Sequence, residues 1–166
     1  MSTDRNLPPL RRIVTGYDDA GKSTVLSDGQ PPAQFVANDL ITVTHLWATD
    51  QTPANFMRSD DGVQLLTGTA PPESGTRFLV LDIAPGELPG GDHQTDTLDY
   101  AVCLFGEVDA VLDTGTTTMK AGDILVQRGT MHNWINRSQA MARMLFVMID
   151  GSPKRPESLG SGEKTG

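Results

Sequence analysis

The chain has 166 residues and a formal charge of −8, from 21 acidic against 13 basic side chains. That length supports one core and not two, and the acidity repels phosphate backbones, so no nucleic-acid partner is expected. No run approaches the roughly 20 apolar residues of a membrane-spanning helix, so no membrane partner is expected either.

Seventeen Gly and eleven Pro, among many Thr, Val and Leu, favour short strands and tight turns over helices. The start of the chain, Met1-Ser2-Thr3-Asp4-Arg5, lacks the basic-then-apolar pattern of a secretory signal. The single cysteine, Cys103, cannot make an internal disulfide. Together these predict a soluble, cytoplasmic domain.

Arg11 to Tyr17 and Ser23 to Ser27 flank Asp18-Asp19-Ala20-Gly21 and predict a hairpin. The same stretch, Gly16 to Ser23, satisfies the string G-x-x-x-x-G-K-[ST] of a phosphate-binding loop, and Leu79-Val80-Leu81-Asp82 resembles its accompanying magnesium strand. Such a loop must open a helix, whose first N–H groups hold the phosphates. Here Thr24-Val25 gives way to Gly29, Pro31 and Pro32, leaving no room for one. A hairpin turn is the expectation.

Leu40 to Trp47 is strongly β-prone and places His45 on the face of Ile41, Val43 and Trp47, as a core or interface residue. Pro53 to Arg58 is the place for a short helix, and Ser59 to Gly62 turns. Strands follow at Arg77 to Ile83, at Asp99 to Phe105 and Glu107 to Leu112 (a hairpin around Gly106), and at Thr116 to Met119. Ile124 to Gln127, Asn133 to Asn136 and Ala142 to Ile149 complete the set. Residues 151–166 carry almost no apolar anchor and predict a flexible tail. Many short strands with frequent turns make an antiparallel sandwich or barrel.

Two segments carry the candidate chemistry. The first runs from Gly90-Gly91-Asp92-His93 through Thr95 and Asp99 to Gly106. The second runs from Gly122-Asp123 through Gln127, Gly129 and His132 to Asn136. Their spacing resembles the two-part signature of the cupin superfamily, G-x5-H-x-H-x3,4-E-x6-G and G-x5-P-x-G-x2-H-x3-N. His93 falls on the first histidine, Asp99 on the glutamate, Gly106 on the closing glycine, and His132 and Asn136 on the last two positions. Thr95 stands where the second histidine would be, Gln127 replaces the proline, and the interval after Gly122 is one residue short.

The resemblance implies an all-β fold, a double-stranded antiparallel β-barrel of the cupin or jelly-roll type, over residues 51–150. Residues 1–50 form an N-terminal strand arm packed across a homodimer partner. It implies a small-molecule enzyme acting on a carbonyl or aromatic metabolite, of lyase, isomerase or dioxygenase type. A divalent metal (Fe, Zn, Mn, Ni or Cu) would be held by His93, Asp99 and His132, a two-histidine, one-carboxylate set. Two alternatives stay open: a metal-free enzyme using Asp99 and His132 as acid and base, and a cupin that binds a small ligand without turnover. His93, Thr95 and Asp99 share parity, so an extended backbone turns all three inward.

Thr95, Trp134 and Cys103 are the expected substrate-pocket residues, Trp134 by stacking and Cys103 as a small apolar filler. Met131, Met141, Met144 and Met148 suit an adaptable core or pocket wall, whereas Arg128 and Arg143 are expected to be exposed.

Overall fold

The computed structural model describes residues 7–68, 70–87 and 91–151, which form twelve strands and one short 3-10 turn. The first pair, β1 (Arg12–Tyr17) and β2 (Ser23–Gly29), stands as its own antiparallel sheet. Between them the Asp18 carboxylate accepts from the N–H groups of Ala20 at 2.9 Å and Lys22 at 2.8 Å, and Gly21 takes φ +72°. The phosphate-loop string is therefore a hairpin turn, as expected, with two of its N–H groups engaged by its own aspartate.

The other strands are β3 (Ala33–Asn38), β4 (Ile41–Thr49), β5 (Thr76–Ile83), β6 (Gly86–Glu87), β7 (Thr97–Phe105), β8 (Glu107–Leu112), β9 (Gly115–Lys120), β10 (Ile124–Arg128), β11 (His132–Asn136) and β12 (Ala142–Asp150). They form a six-stranded sheet in the order β10-β7-β12-β5-β4-β3 and a four-stranded sheet in the order β6-β11-β8-β9. Alternation sends Ala101, Cys103, Met144, Phe146, Leu79 and Val43 of the large sheet to one face. There they form a single apolar cluster with Val108, Ala110, Met119 and Trp134 of the small sheet. The result is an all-β jelly roll of two facing sheets, whose hydrogen bonding among the described residues does not close into one continuous barrel wall.

Three expectations are corrected. The segments on either side of Gly106 are not a hairpin: β7 pairs with β10 and β12, and β8 with β9 and β11, so Gly106 is a corner between sheets. Its φ is +71°, and a Cβ there would lie 2.6 Å from the Met141 carbonyl oxygen, so glycine fits both the turn and the close approach. The short helix lies at Gly62–Leu65 and not at Pro53 to Arg58. It is capped by Asp61, whose carboxylate accepts from the Val63 N–H at 3.0 Å.

Arg143 is buried, not exposed. It grips Asp82 on the neighbouring strand through two bonds of 2.6 and 2.7 Å and donates to the Pro8 carbonyl oxygen at 2.6 Å. Strands β3 and β6 were not anticipated, because Gln34, Asn38 and the two-residue β6 carry little β signal. The expected tail falls in residues 152–166, outside the described residues.

Candidate functional site

The site forms where the segment before β7 crosses the start of β11. His93 and His132 exchange backbone bonds, each N–H donating to the other's carbonyl at 2.9 Å, an isolated bridge between the two sequence motifs. This brings their rings to 4.2 Å between centroids, tilted by 57°. Gln94 donates its amide to the Gly129 carbonyl, a second tie between the motifs. His93 lies at the exposed rim, and its Nδ1 sits 3.3 Å from the Gly91 carbonyl. His132 is buried. The two imidazoles from distant stretches do converge, one exposed and one buried.

Asp99 sits in β7 on the inward face with Ala101 and Cys103, only 3% exposed. Thr97 and Gln127 hydrogen-bond its carboxyl, yet Oδ1 has no partner. Burial is the largest influence and raises the carboxyl above its ordinary range, against those hydrogen bonds and the attraction of His93. An unpartnered buried carboxyl oxygen is costly and favours the protonated form.

Gln127 lies directly across the β10–β7 ladder from Asp99 and is also buried. Its amide nitrogen is 2.9 Å from Nε2 of His132 and 3.0 Å from Nδ1. Nδ1 of His132 also lies 2.9 Å from the Thr130 carbonyl, which can only accept, so the ring hydrogen is on Nδ1. Burial pushes the His132 imidazole down to about 4, with the neighbouring His93 adding to the effect and the Thr130 carbonyl opposing it. His132 is thus a neutral ring at ordinary pH.

The remaining expected residues are dispersed around this centre. Trp134 is buried, edge-on to His132 at 5.8 Å and to Phe146 at 5.5 Å, and belongs to the core cluster. Cys103 is fully buried with its thiol aimed at the Phe105 and Gly106 carbonyls, and burial pushes that thiol up. Thr95 precedes β7, and its hydroxyl lies 2.8 Å from that of Thr97.

Sequence reasoning missed two functional candidates, Gln127 and Thr97. Gln127 carried a signal, since a side-chain donor stood where the resembled motif has proline. Its pairing with Asp99 depends on register, which the sequence does not display. A second buried polar pair lies further along the same inner face. His45 receives Nη2 of Arg77 at 2.9 Å; burial first and then that cation push His45 down to about 4.

The ring hydrogen of His132 points at Thr130, and its other nitrogen is covered by Gln127. Among the described residues no group of three His, Cys, Asp or Glu side chains is placed to hold an ion together. As arranged, His93, Asp99 and His132 do not fit a shared ion.

A family model described as "Cupin domain" matches residues 79–148. Phomopsin biosynthesis cluster protein C' of Diaporthe leptostromiformis is 33% identical over 168 residues, covering 92% of this chain and 86% of its own. The cupin-domain-containing oxidoreductase fogC of Aspergillus ruber is 33% identical over 147 residues, covering 84% of this chain and 71% of its own. Among solved structures, AerE from Microcystis aeruginosa shares the arrangement of strands with a TM-score of 0.50 at 17% identity, over 73% of this chain and 46% of that one.

Proposed function

The chain belongs to the cupin family, and from that premise we propose that it is a small-molecule enzyme transferring protons between Asp99, the paired imidazoles and a carbonyl-bearing metabolite. One observation carries the reading: a buried carboxyl with a bare Oδ1, held up in pKa, on the face that leads to a neutral histidine. A carboxyl held above its ordinary range is the better placed to give a proton and a neutral imidazole to take one, so the two environments divide the roles of acid and base.

In the proposed reaction Asp99 protonates the substrate's carbonyl oxygen while His132 Nε2, given up by the Gln127 amide as substrate enters, removes a proton from the adjacent carbon. The C–H electron pair becomes the C=C bond of an enol. Returning the proton to another carbon completes an isomerisation, and loss of a β-hydroxyl as water completes a dehydration. His93, at the rim, orients what enters. Trp134, Phe146 and Met144 supply an apolar, aromatic surround that favours a flat or lipophilic substrate. The names of the fungal relatives, biosynthesis-cluster proteins and oxidoreductases, support small-molecule chemistry.

Deuterium incorporation from D2O into a panel of small aryl ketones and 1,3-diketones, followed by proton NMR, tests the reading. Wild-type protein should catalyse exchange at carbon, and Asp99→Asn, equal in shape without the transferable proton, should lose about 100-fold or more. Exchange unchanged in Asp99→Asn removes the proposal.

A further inference from the structure

Arg77 is the second residue of β5, and strand alternation turns its side chain to the same inner face as Leu79 and Ile83. The β5–β12 ladder sets it opposite Met148, and the β12–β7 ladder sets Met148 opposite Asp99. The three form one inward row, at the end of the large sheet where the His93–His132 crossing lies. Two strand spacings, about 10 Å between backbones, separate Arg77 from Asp99. Met148 between them is half-buried and unbranched, a side chain that adapts to what lies beside it.

Arg77 is 3% exposed. Its Nη2 lies 2.9 Å from Nε2 of His45, and because a guanidinium only donates, that ring nitrogen accepts. His45 is buried, neutral and tilted against Phe35 at 5.4 Å, so the contact aims the cation without cancelling its charge. Arg143, the other buried arginine among the described residues, is instead met by the Asp82 carboxylate. Burial pulls the Arg77 guanidinium down to about 10, so its surroundings offset less than desolvation costs. An anion that reaches it makes up that difference. A carboxylate does so best, because two oxygens in one plane match the guanidinium fork through charge-assisted bonds about twice as strong as neutral ones. A neutral acceptor on the fork gives way to such a group.

We propose that Arg77 is a carboxylate anchor in this interior, held in aim by His45, and that the small molecules bound here are organic acids. Binding rests on Arg77 and its row. Only the extension to substrate, a carbonyl compound whose carboxylate lies a few bonds from the group meeting Asp99, rests on the proton-transfer reading above.

The test compares acids with their amides. Benzoate, phenylacetate and 3-phenylpropionate, each beside its primary amide, are titrated into full-length 15N-labelled protein at neutral pH. Binding is followed by the Arg77 Nε–H signal, assigned by its loss in Arg77→Lys. At least one acid should bind wild type about 10-fold or more tightly than its amide and shift that signal. Arg77→Met keeps a chain of similar length without the charge, and should bring acid and amide to within about twofold. Arg77→Lys keeps the charge without the fork, and should retain part of the preference. Equal affinity of acid and amide for wild type, no binding of any acid at millimolar concentration, or a preference that survives Arg77→Met overturns the proposal. The wild-type comparison needs no variant, so a poorly folding Arg77→Met leaves the proposal falsifiable. Acid preference without deuterium exchange supports the anchor and counts against the reaction, and exchange without acid preference does the reverse.

Discussion

The two buried imidazoles make acid a specific threat to this fold. His45 and His132 each hold a value of about 4 against 6.5 for a free ring, mainly because burial disfavours the charged form. Between those values the unfolded chain binds protons that the native chain refuses. Stability is therefore full above 6.5 and is lost as pH falls toward 4. At pH 5 an unfolded ring is almost wholly protonated and a native one almost wholly neutral, which costs about 2 kcal/mol per histidine, or about 4 kcal/mol together. Asp99 acts in the opposite sense, since a raised carboxyl stabilises the folded state at low pH and that contribution fades as pH rises through its folded value.

The comparison that isolates the histidines is urea denaturation at pH 7.5 and pH 5 of wild type, His45→Gln and His132→Gln. Each variant is expected to lose less stability on acidification than wild type, by about 2 kcal/mol, while the Asp99 contribution cancels to first order. Variants that lose as much as wild type over this range would refute the reasoning.

The buried Asp82–Arg143 pair provides another measurement. Removing one partner, as in Asp82→Asn or Arg143→Met, should cost about 3–5 kcal/mol in denaturant titrations, whereas the double apolar replacement Asp82→Leu with Arg143→Met should recover most of it. The outer face of β10 and β7 exposes Ile124, Val126, Tyr100 and Leu104 side by side, and we propose that a second copy of the chain covers it. Sedimentation should then show a dimer that Ile124→Lys with Val126→Asp converts to a monomer; a monomeric wild type at tens of micromolar would count against the interface.

The fold was legible where spacing alone carries it. Alternation in β7 and β12 placed the strands to within two residues, and the His93, Asp99, Gly106 and His132, Asn136 intervals pointed to the family whose fold the chain adopts. What was not legible depends on pairing. The sequence shows that Gly106 turns the chain, but not that the turn passes between sheets, because a hairpin and a corner need the same glycine. It shows Arg143 and Asp82 as separate charges, and only the β5–β12 register makes them a buried pair. In the same way the site's histidines could be placed by motif, while Gln127, the residue that touches both Asp99 and His132, became visible only when β10 was laid beside β7.

The position of β12 has a consequence for how the molecule is made. It is the last of the described strands, yet it lies in the middle of the large sheet, with β5 on one side and β7 on the other. Until it is synthesised, the segment containing β3 to β5 and the one containing β7 and β10 share no ladder, and each presents an open hydrogen-bonding edge. Arg143 on the same strand also holds Pro8, so the first described residues wait on this last strand for that contact. A nascent chain stalled before Ala142 is left with two unfinished half-sheets, and completion by one late strand makes assembly of the whole sheet a single cooperative event.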